Sequence, residues 1–194
     1  MKSDILRKRF GQSRLLNLEA LEWLESTMHA KTVRFDIGKG GGTPEVTWED
    51  RCAAVAMIKS KPARALASLL IWGYDQDQFD IIAHHLAGKM SAQARADKKA
   101  MPKGCPYSID EMAGKMAQMV LYFTLYDLWE LYTVQGRLVF SGINMPDKTY
   151  SNQMLPYQRL MLDIIKDLAG AVDDDVNVQA VVYQQHRGGR RCLA

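Results

Sequence analysis

Apolar positions along this chain recur at helical spacing far more often than they alternate. Over Leu15–Met28, Leu15, Leu18, Leu21, Trp23 and Leu24 fall along one helical face, with Glu19, Glu22 and Glu25 largely turned away, so an amphipathic helix is predicted. Val33–Ile37 alternates and reads as a short strand or extended piece. The run Gly38-Lys39-Gly40-Gly41-Gly42-Thr43-Pro44 then breaks regular structure and reads as a flexible linker. It is not a Walker loop: the lysine comes second, and Pro44 stands where a helix-opening Ser or Thr is needed.

Thr47 begins a capping-box pattern, with a carboxylate at Asp50, before apolar residues running through Ile58. Pro62 opens a helix over Ala63–Trp72. Gly73 and the turn at Asp75–Asp77 separate it from a helix over Phe79–Met90 that runs on through Arg95. Met101–Pro106 is a loop. Ser108 and Glu111 form a second capping box at the head of the longest helix, whose apolar residues continue to Leu131. Gly136 and Gly142 bracket a short piece, Arg137–Ser141. A further helix is expected from about Pro146 through Leu168, kinked or broken at Pro156 and ended by Gly170. A weak strand or helix covers Val176–Tyr183, before a mobile basic tail.

The fold class is therefore mainly α: a compact helical domain with a C-terminal helix-turn-helix-like DNA-binding element. Three regions are expected. Residues 1–46 form a basic N-terminal helix and glycine linker. Residues 47–180 form the helical core, with the helix-turn-helix-like segment at about 130–168. Residues 181–194 are a mobile basic tail. The length of 194 residues suffices for such a core without staples.

Charge refines this picture through its distribution. Net charge is only +3, but Lys2, Arg7, Lys8, Arg9 and Arg14 crowd the N-terminus. Lys89, Arg95, Lys98, Lys99 and Lys103 form a second basic stretch, and Arg187, Arg190 and Arg191 a third, while acid gathers at Asp173, Asp174 and Asp175. Such separation permits a basic face that holds phosphates. Cys52, Cys105 and Cys192 are too scattered for a zinc knuckle or a disulfide framework, which fits a reducing cytoplasm. No secretory signal and no membrane-length apolar run are read, so no membrane partner is expected.

Three constellations carry candidate chemistry. In residues 142–162, Gly142 and Ile143 suit a helix-turn-helix turn and Pro146 the start of a second helix. Lys148, Thr149, Ser151, Asn152 and Gln153 then offer donors and acceptors to base edges, with Tyr150, Leu155, Tyr157, Leu160 and Met161 on the buried side. Asp80 and His84, four apart with His85 adjacent, would bring a carboxylate and an imidazole together on a helix, though no third metal ligand follows at sensible spacing. The aromatic set Tyr122, Phe123, Tyr126, Trp129 and Tyr132 suits base stacking, a core or a partner interface.

The stretch Ile143–Tyr157 resembles the lambda-type Q antitermination proteins, a family of phage late-gene regulators. There the family has an aliphatic, a turn, Pro-Thr-Trp-Ser-Arg-like residues and a Lys-Pro-Leu-Tyr-like segment. Lys148-Thr149-Tyr150-Ser151 and Leu155-Pro156-Tyr157 match that order. The helix Asp110–Trp129 resembles the family's long helix, and the extended match covers roughly residues 47–180. Family members commonly carry two zinc-binding C-x-x-C pairs ahead of the recognition helix; here Glu130–Phe140 contains no cysteine. The resemblance implies a non-enzymatic factor, without metal or cofactor, acting in the cytoplasm of a bacterial host. It would bind duplex DNA beside a late promoter and load onto RNA polymerase paused there with sigma, suppressing pausing and termination. Lys148, Thr149, Ser151, Asn152 and Gln153 would read bases or phosphates, Arg159 would clamp backbone, and Arg95, Lys98, Lys99 and Lys103 would add positioning contacts. A repressor or a small packaging subunit is the alternative, with a protein-binding inhibitor or a metal-dependent hydrolase after it. A homo-oligomer is compatible with the Met- and aromatic-rich helix.

Overall fold

The computed structural model describes residues 53–102, 105–126 and 128–190, except the side chains of Trp129, Asp173, Asn177 and residues 179–190. Within them all regular structure is helical, in agreement with the expected mainly α class. The elements are α1 (Lys61–Trp72), α2 (Gln76–Ala96), α3 (Ile109–Tyr126), a 3₁₀ turn (Trp129–Tyr132), α4 (Val134–Ser141), α5 (Asp147–Gln153) and α6 (Leu155–Arg190). The expectations for the helix at Leu15–Met28, the extended Val33–Ile37, the glycine linker, the Thr47 cap and Lys103 lie outside the described residues, as does the end of the tail beyond Arg190. The chain divides into two units, Tyr74–Leu168 and the remainder.

In the unit that contains α1, a short helical stretch over residues 53–56 precedes the turn into α1, and Val55 and Ile58 are buried. Ser60 caps α1 by accepting the Ala63 N–H, and Pro62 sits in the first turn, where a missing N–H goes unneeded. Gly73 closes the helix at φ +97° with its N–H on the Leu69 carbonyl. The second half of α6 belongs to the same unit: Val172 and Val176, four apart, are buried, and the Asp175 carboxylate accepts the Lys59 backbone N–H at 3.1 Å. Gly170 does not end this helix, contrary to expectation. It is exposed with open space around it, and a single interior glycine costs about 1 kcal/mol, which a long helix absorbs.

The other unit is built on α2 and α3. Asp75 caps α2 through the Gln78 N–H. Phe79, Ile82, Leu86 and Met90 follow at spacings of three and four on its buried face. The Ser108 box forms as its sequence requires: the Ser108 hydroxyl accepts the Glu111 N–H, and the Glu111 carboxylate accepts from both the Ser108 N–H and hydroxyl. Those bonds to the charged form hold the Glu111 carboxyl below its usual range. Met112, Met116, Met119 and Val120 are fully buried on α3. Arg95 at the end of α2 meets Asp110 at the head of α3, while Phe79 near the start of α2 stacks against Tyr122 near the end of α3, so the two helices run antiparallel. The long helix stops at Tyr126, short of the expected Leu131, and the chain tightens into the 3₁₀ turn.

The end of α2 has an unusual occupant. The Lys98 N–H bonds to the Arg95 carbonyl and the Lys99 N–H to the Ala94 carbonyl, a Schellman closure with Lys98 at φ +51°. Glycine is the residue that ordinarily takes this left-handed position.

Candidate nucleic-acid interface

The segment from α4 to the start of α6 is short, and each bend has an identifiable cause. Thr133 caps α4 by accepting the Gly136 N–H. At the other end, Gly142 takes φ +61° and ψ +30°, its N–H bonds to the Val139 carbonyl, and the Ile143 N–H bonds to the Leu138 carbonyl. This is a second Schellman closure, here with its preferred glycine, and the residue after it, Ile143, is buried as such motifs favour. The sequence-based expectation of a glycine turn followed by a buried aliphatic holds at both residues.

After the turn, α5 is only seven residues long. The helix expected from about Pro146, with a kink or break at Pro156, is indeed interrupted there, two residues ahead of the proline. Pro156 has no N–H to give, and its ring would collide with the Asn152 carbonyl in an unbroken helix. The chain breaks at Met154 instead, and Pro156 becomes the second residue of α6, where no donor is required. Tyr150 and Met154 point inward and are essentially fully buried. Lys148 and Asn152, also four apart, lie on the opposite face and are exposed, while Thr149, Ser151 and Gln153 are half-buried at its flanks. Arg159 is exposed on α6. Tyr157 and Met161 are buried as expected, but Leu155 and Leu160 are only half-buried, because they flank the face that Tyr150, Met154, Tyr157, Gln158 and Met161 mark at spacings of three and four.

A polar network beneath α5 escaped the sequence reading. Arg137 is half-buried; its Nε donates to the Leu131 carbonyl at 2.6 Å, one terminal nitrogen to the Tyr132 carbonyl at 3.2 Å and the other to Gln158 Oε1 at 3.3 Å. Its guanidinium also lies 5.5 Å from the Phe123 ring centroid. Gln158 is 3% exposed, and the Tyr150 hydroxyl donates to the same oxygen at 3.0 Å. Burial pushes the Tyr150 phenol up to about 12, against a smaller opposing effect of Arg137. The one available signal was a polar residue, Gln158, at a position of α6 whose neighbours are apolar.

The structure brings two separate stretches together. The Tyr157 hydroxyl donates to the Asp97 carboxylate at 2.9 Å, fixing the basic end of α2 beside the start of α6. Lys98 is exposed and Lys99 half-buried there. Arg95 belongs to the same stretch, but its guanidinium is engaged with both oxygens of Asp110 at 2.7 and 2.6 Å, and so is not free as expected for a phosphate.

The other two constellations lie on α2, on α3 and in the 3₁₀ turn. His84 Nδ1 lies 2.7 Å from the Asp80 backbone carbonyl, while the Asp80 carboxylate accepts from Gln76. The carboxylate and imidazole are therefore each engaged elsewhere. His85 is half-buried, and burial, with Lys89 nearby, lowers its pKa. Among the described residues no group of three or more His, Cys, Asp or Glu is placed to hold a metal ion. The aromatic residues form a cluster at the paired ends of α2 and α3: Tyr122 packs against Phe79, Tyr126 and Phe140, and Phe123 against Tyr132. Val139 and Phe140 on α4 are exposed at 76% and 43%. Among the described residues no helix is long and apolar enough to cross a membrane.

Comparison of the chain with protein-family models, with curated proteins and with solved structures finds no match.

Proposed function

We propose that the Tyr74–Leu168 unit is a duplex-DNA-binding module with α5 as its recognition helix, in a chain that regulates transcription as the phage late-gene antiterminators do. In this reading it binds beside a late promoter and loads onto RNA polymerase paused there with sigma. One observation carries the reading. Behind a Gly142 turn, a short helix anchored by buried Tyr150 and Met154 presents Lys148 and Asn152 outward, a cation and a bidentate amide one turn apart. Lys98, Lys99 and Arg159 supply sequence-independent phosphate contacts nearby.

Binding of duplexes enriched from a randomised library tests it, with affinity followed over a range of salt. Phosphate contacts from Lys98, Lys99 and Arg159, at about −0.9 each, give a slope of log K against log salt of about −2.7. The double variant Lys148→Ala/Asn152→Ala is expected to lose discrimination between enriched and random duplexes while unfolding at the wild-type urea concentration. Unchanged discrimination refutes the assignment of α5. Transcription on a template with promoter, pause and terminator then separates an antiterminator from a repressor or a packaging subunit. Readthrough that needs both the protein and the promoter-proximal DNA supports the former.

A protein-binding inhibitor is the second reading, supported by the exposed Val139 and Phe140 beside the aromatic cluster. Such a protein would act on its target equally with and without DNA.

A further inference from the structure

We infer that Tyr107, seconded by Lys115, sets the angle at which α5 leaves its turn and so determines DNA specificity without touching DNA; the inference rests on the recognition role proposed for α5. Tyr107 lies in the segment before α3, thirty-five residues from the turn it clamps. Its hydroxyl donates to the Gly142 carbonyl at 2.8 Å and accepts the Asn144 backbone N–H at 3.3 Å. One phenol thus spans the three residues between the α4 closure and the approach to α5. Lys115 on α3 adds a charge: its Nζ lies 3.4 Å from the Ser141 and Gly142 carbonyls, at the negative end of the α4 dipole, and 5.0 Å from the Tyr107 ring centroid.

Both side chains are half-buried, and neither contributes to the apolar core. The Schellman bonds fix the chain only as far as Ile143. Beyond Ile143 the next helix bond is that of the Tyr150 N–H to the Pro146 carbonyl, which opens α5, so the Asn144–Tyr107 bond is the first tether between the closure and the helix. A recognition helix reads bases only when its side chains are held near their bonding geometry. A tether that restricts the hinge therefore acts on specific affinity and leaves general phosphate attraction alone.

The test uses the full chain and its Tyr107→Phe variant, which keeps the ring and removes both hydrogen bonds. Amide hydrogen exchange is read at Asn144, and affinity is measured for duplexes enriched by the wild-type chain and for the unselected random pool. The expected result is roughly tenfold faster exchange at Asn144, a roughly tenfold loss of affinity for the enriched duplexes, unchanged affinity for the pool and an unmoved unfolding midpoint. Lys115→Met should shift the same ratio in the same direction, and Lys115→Arg should restore it. Wild-type exchange at Asn144 in Tyr107→Phe overturns the clamp. Faster exchange with an unchanged ratio of the two affinities overturns its role in specificity. A wild-type chain that enriches no duplex overturns the DNA reading and this role with it, and accelerated exchange in the variant would then distinguish that failure from failure of the clamp.

Discussion

Removing the guanidinium of Arg137 should weaken the fold more than any other single change to an exposed or half-buried charge in the Tyr74–Leu168 unit. Arg137→Met preserves most of the aliphatic stem and removes every donor. Three acceptors and one ring are affected, and they are not equivalent. The Leu131 carbonyl belongs to a fully buried residue and loses its 2.6 Å bond, a desolvated acceptor left unmet at a cost of about 1–3 kcal/mol. Gln158 Oε1 keeps the Tyr150 hydroxyl, so its loss is closer to about 0.5–1 kcal/mol. The Tyr132 carbonyl sits on a residue 59% exposed, where water replaces the donor at small cost. The Phe123 contact adds about 0.5 kcal/mol. The sum is about 3 kcal/mol.

With a urea dependence of about 2 kcal/mol per molar, that loss lowers the midpoint by roughly 1.5 M. Tyr150→Phe should cost less, about 1 kcal/mol, because Gln158 retains Arg137. The two changes share an acceptor, so their double variant should depart from additivity by about 0.5 kcal/mol or more. Urea unfolding followed by far-ultraviolet circular dichroism reads all three. An Arg137→Met midpoint within about 0.3 M of wild type, or strict additivity with Tyr150→Phe, would refute the argument by showing that water already serves these carbonyls.

Gly136→Ala should destabilise the same region by about 3 kcal/mol, since its Cβ would lie 1.7 Å from the Glu130 carbonyl oxygen and force α4 away from the 3₁₀ turn; a wild-type urea midpoint would contradict that packing. Tyr150 makes the unit sensitive to alkali, because its folded pKa of about 12 lies above the unfolded value of about 10. Its contribution is whole below pH about 10 and is lost as pH rises through about 12, at most about 2–3 kcal/mol, so Tyr150→Phe should flatten the fall in midpoint over that window. Lys98→Gly should raise stability by about 1 kcal/mol by relieving the left-handed backbone, and should still weaken DNA binding at low salt. Should binding hold unchanged as stability rises, Lys98 is not a phosphate contact.

Local rules made much of the helical framework legible. Pro62 at the head of α1, the Ser108–Glu111 box and the Gly142 turn are short-range devices that formed where their patterns stood, and the Ser60 and Asp75 caps, not read from the sequence, are devices of the same kind. Helix ends set by competition were harder to read. The break at Met154 depends on whether a proline outweighs the packing of a long apolar face, whereas the stop at Tyr126 has no glycine or proline beside it to mark it in the sequence. Gly170 lost that contest within α6 and Pro156 won it, although both are helix breakers in isolation. Pro156 prevails because its clash is steric and lies with a fixed carbonyl, whereas Gly170 costs only backbone entropy.

The candidate interface was legible in its parts and not in its assembly. Lys148 and Asn152 could be placed outward, and Tyr150 inward, from a spacing of four. Nothing local linked them to the basic end of α2. That link is a single hydroxyl sixty residues away, Tyr157 on Asp97, and it selects among the basic residues of that stretch: Lys98 and Lys99 are carried to the start of α6 while Arg95 is drawn to Asp110. Charge counted along the sequence treats the three as equal, whereas in the fold Arg95 alone of the three is paired with an acid among the described residues. The exposed Arg95 pair is of the kind that contributes at most about 1 kcal/mol, so a phosphate reaching it must first outbid Asp110. Among the described residues no acid pairs with Lys98, and its left-handed backbone is a cost that a glycine at the same position would remove. If the proposed DNA contact holds, the ammonium group of Lys98 meets phosphate there, and Lys98→Gly separates that contact from the backbone strain, since it removes both with opposite effects on binding and stability.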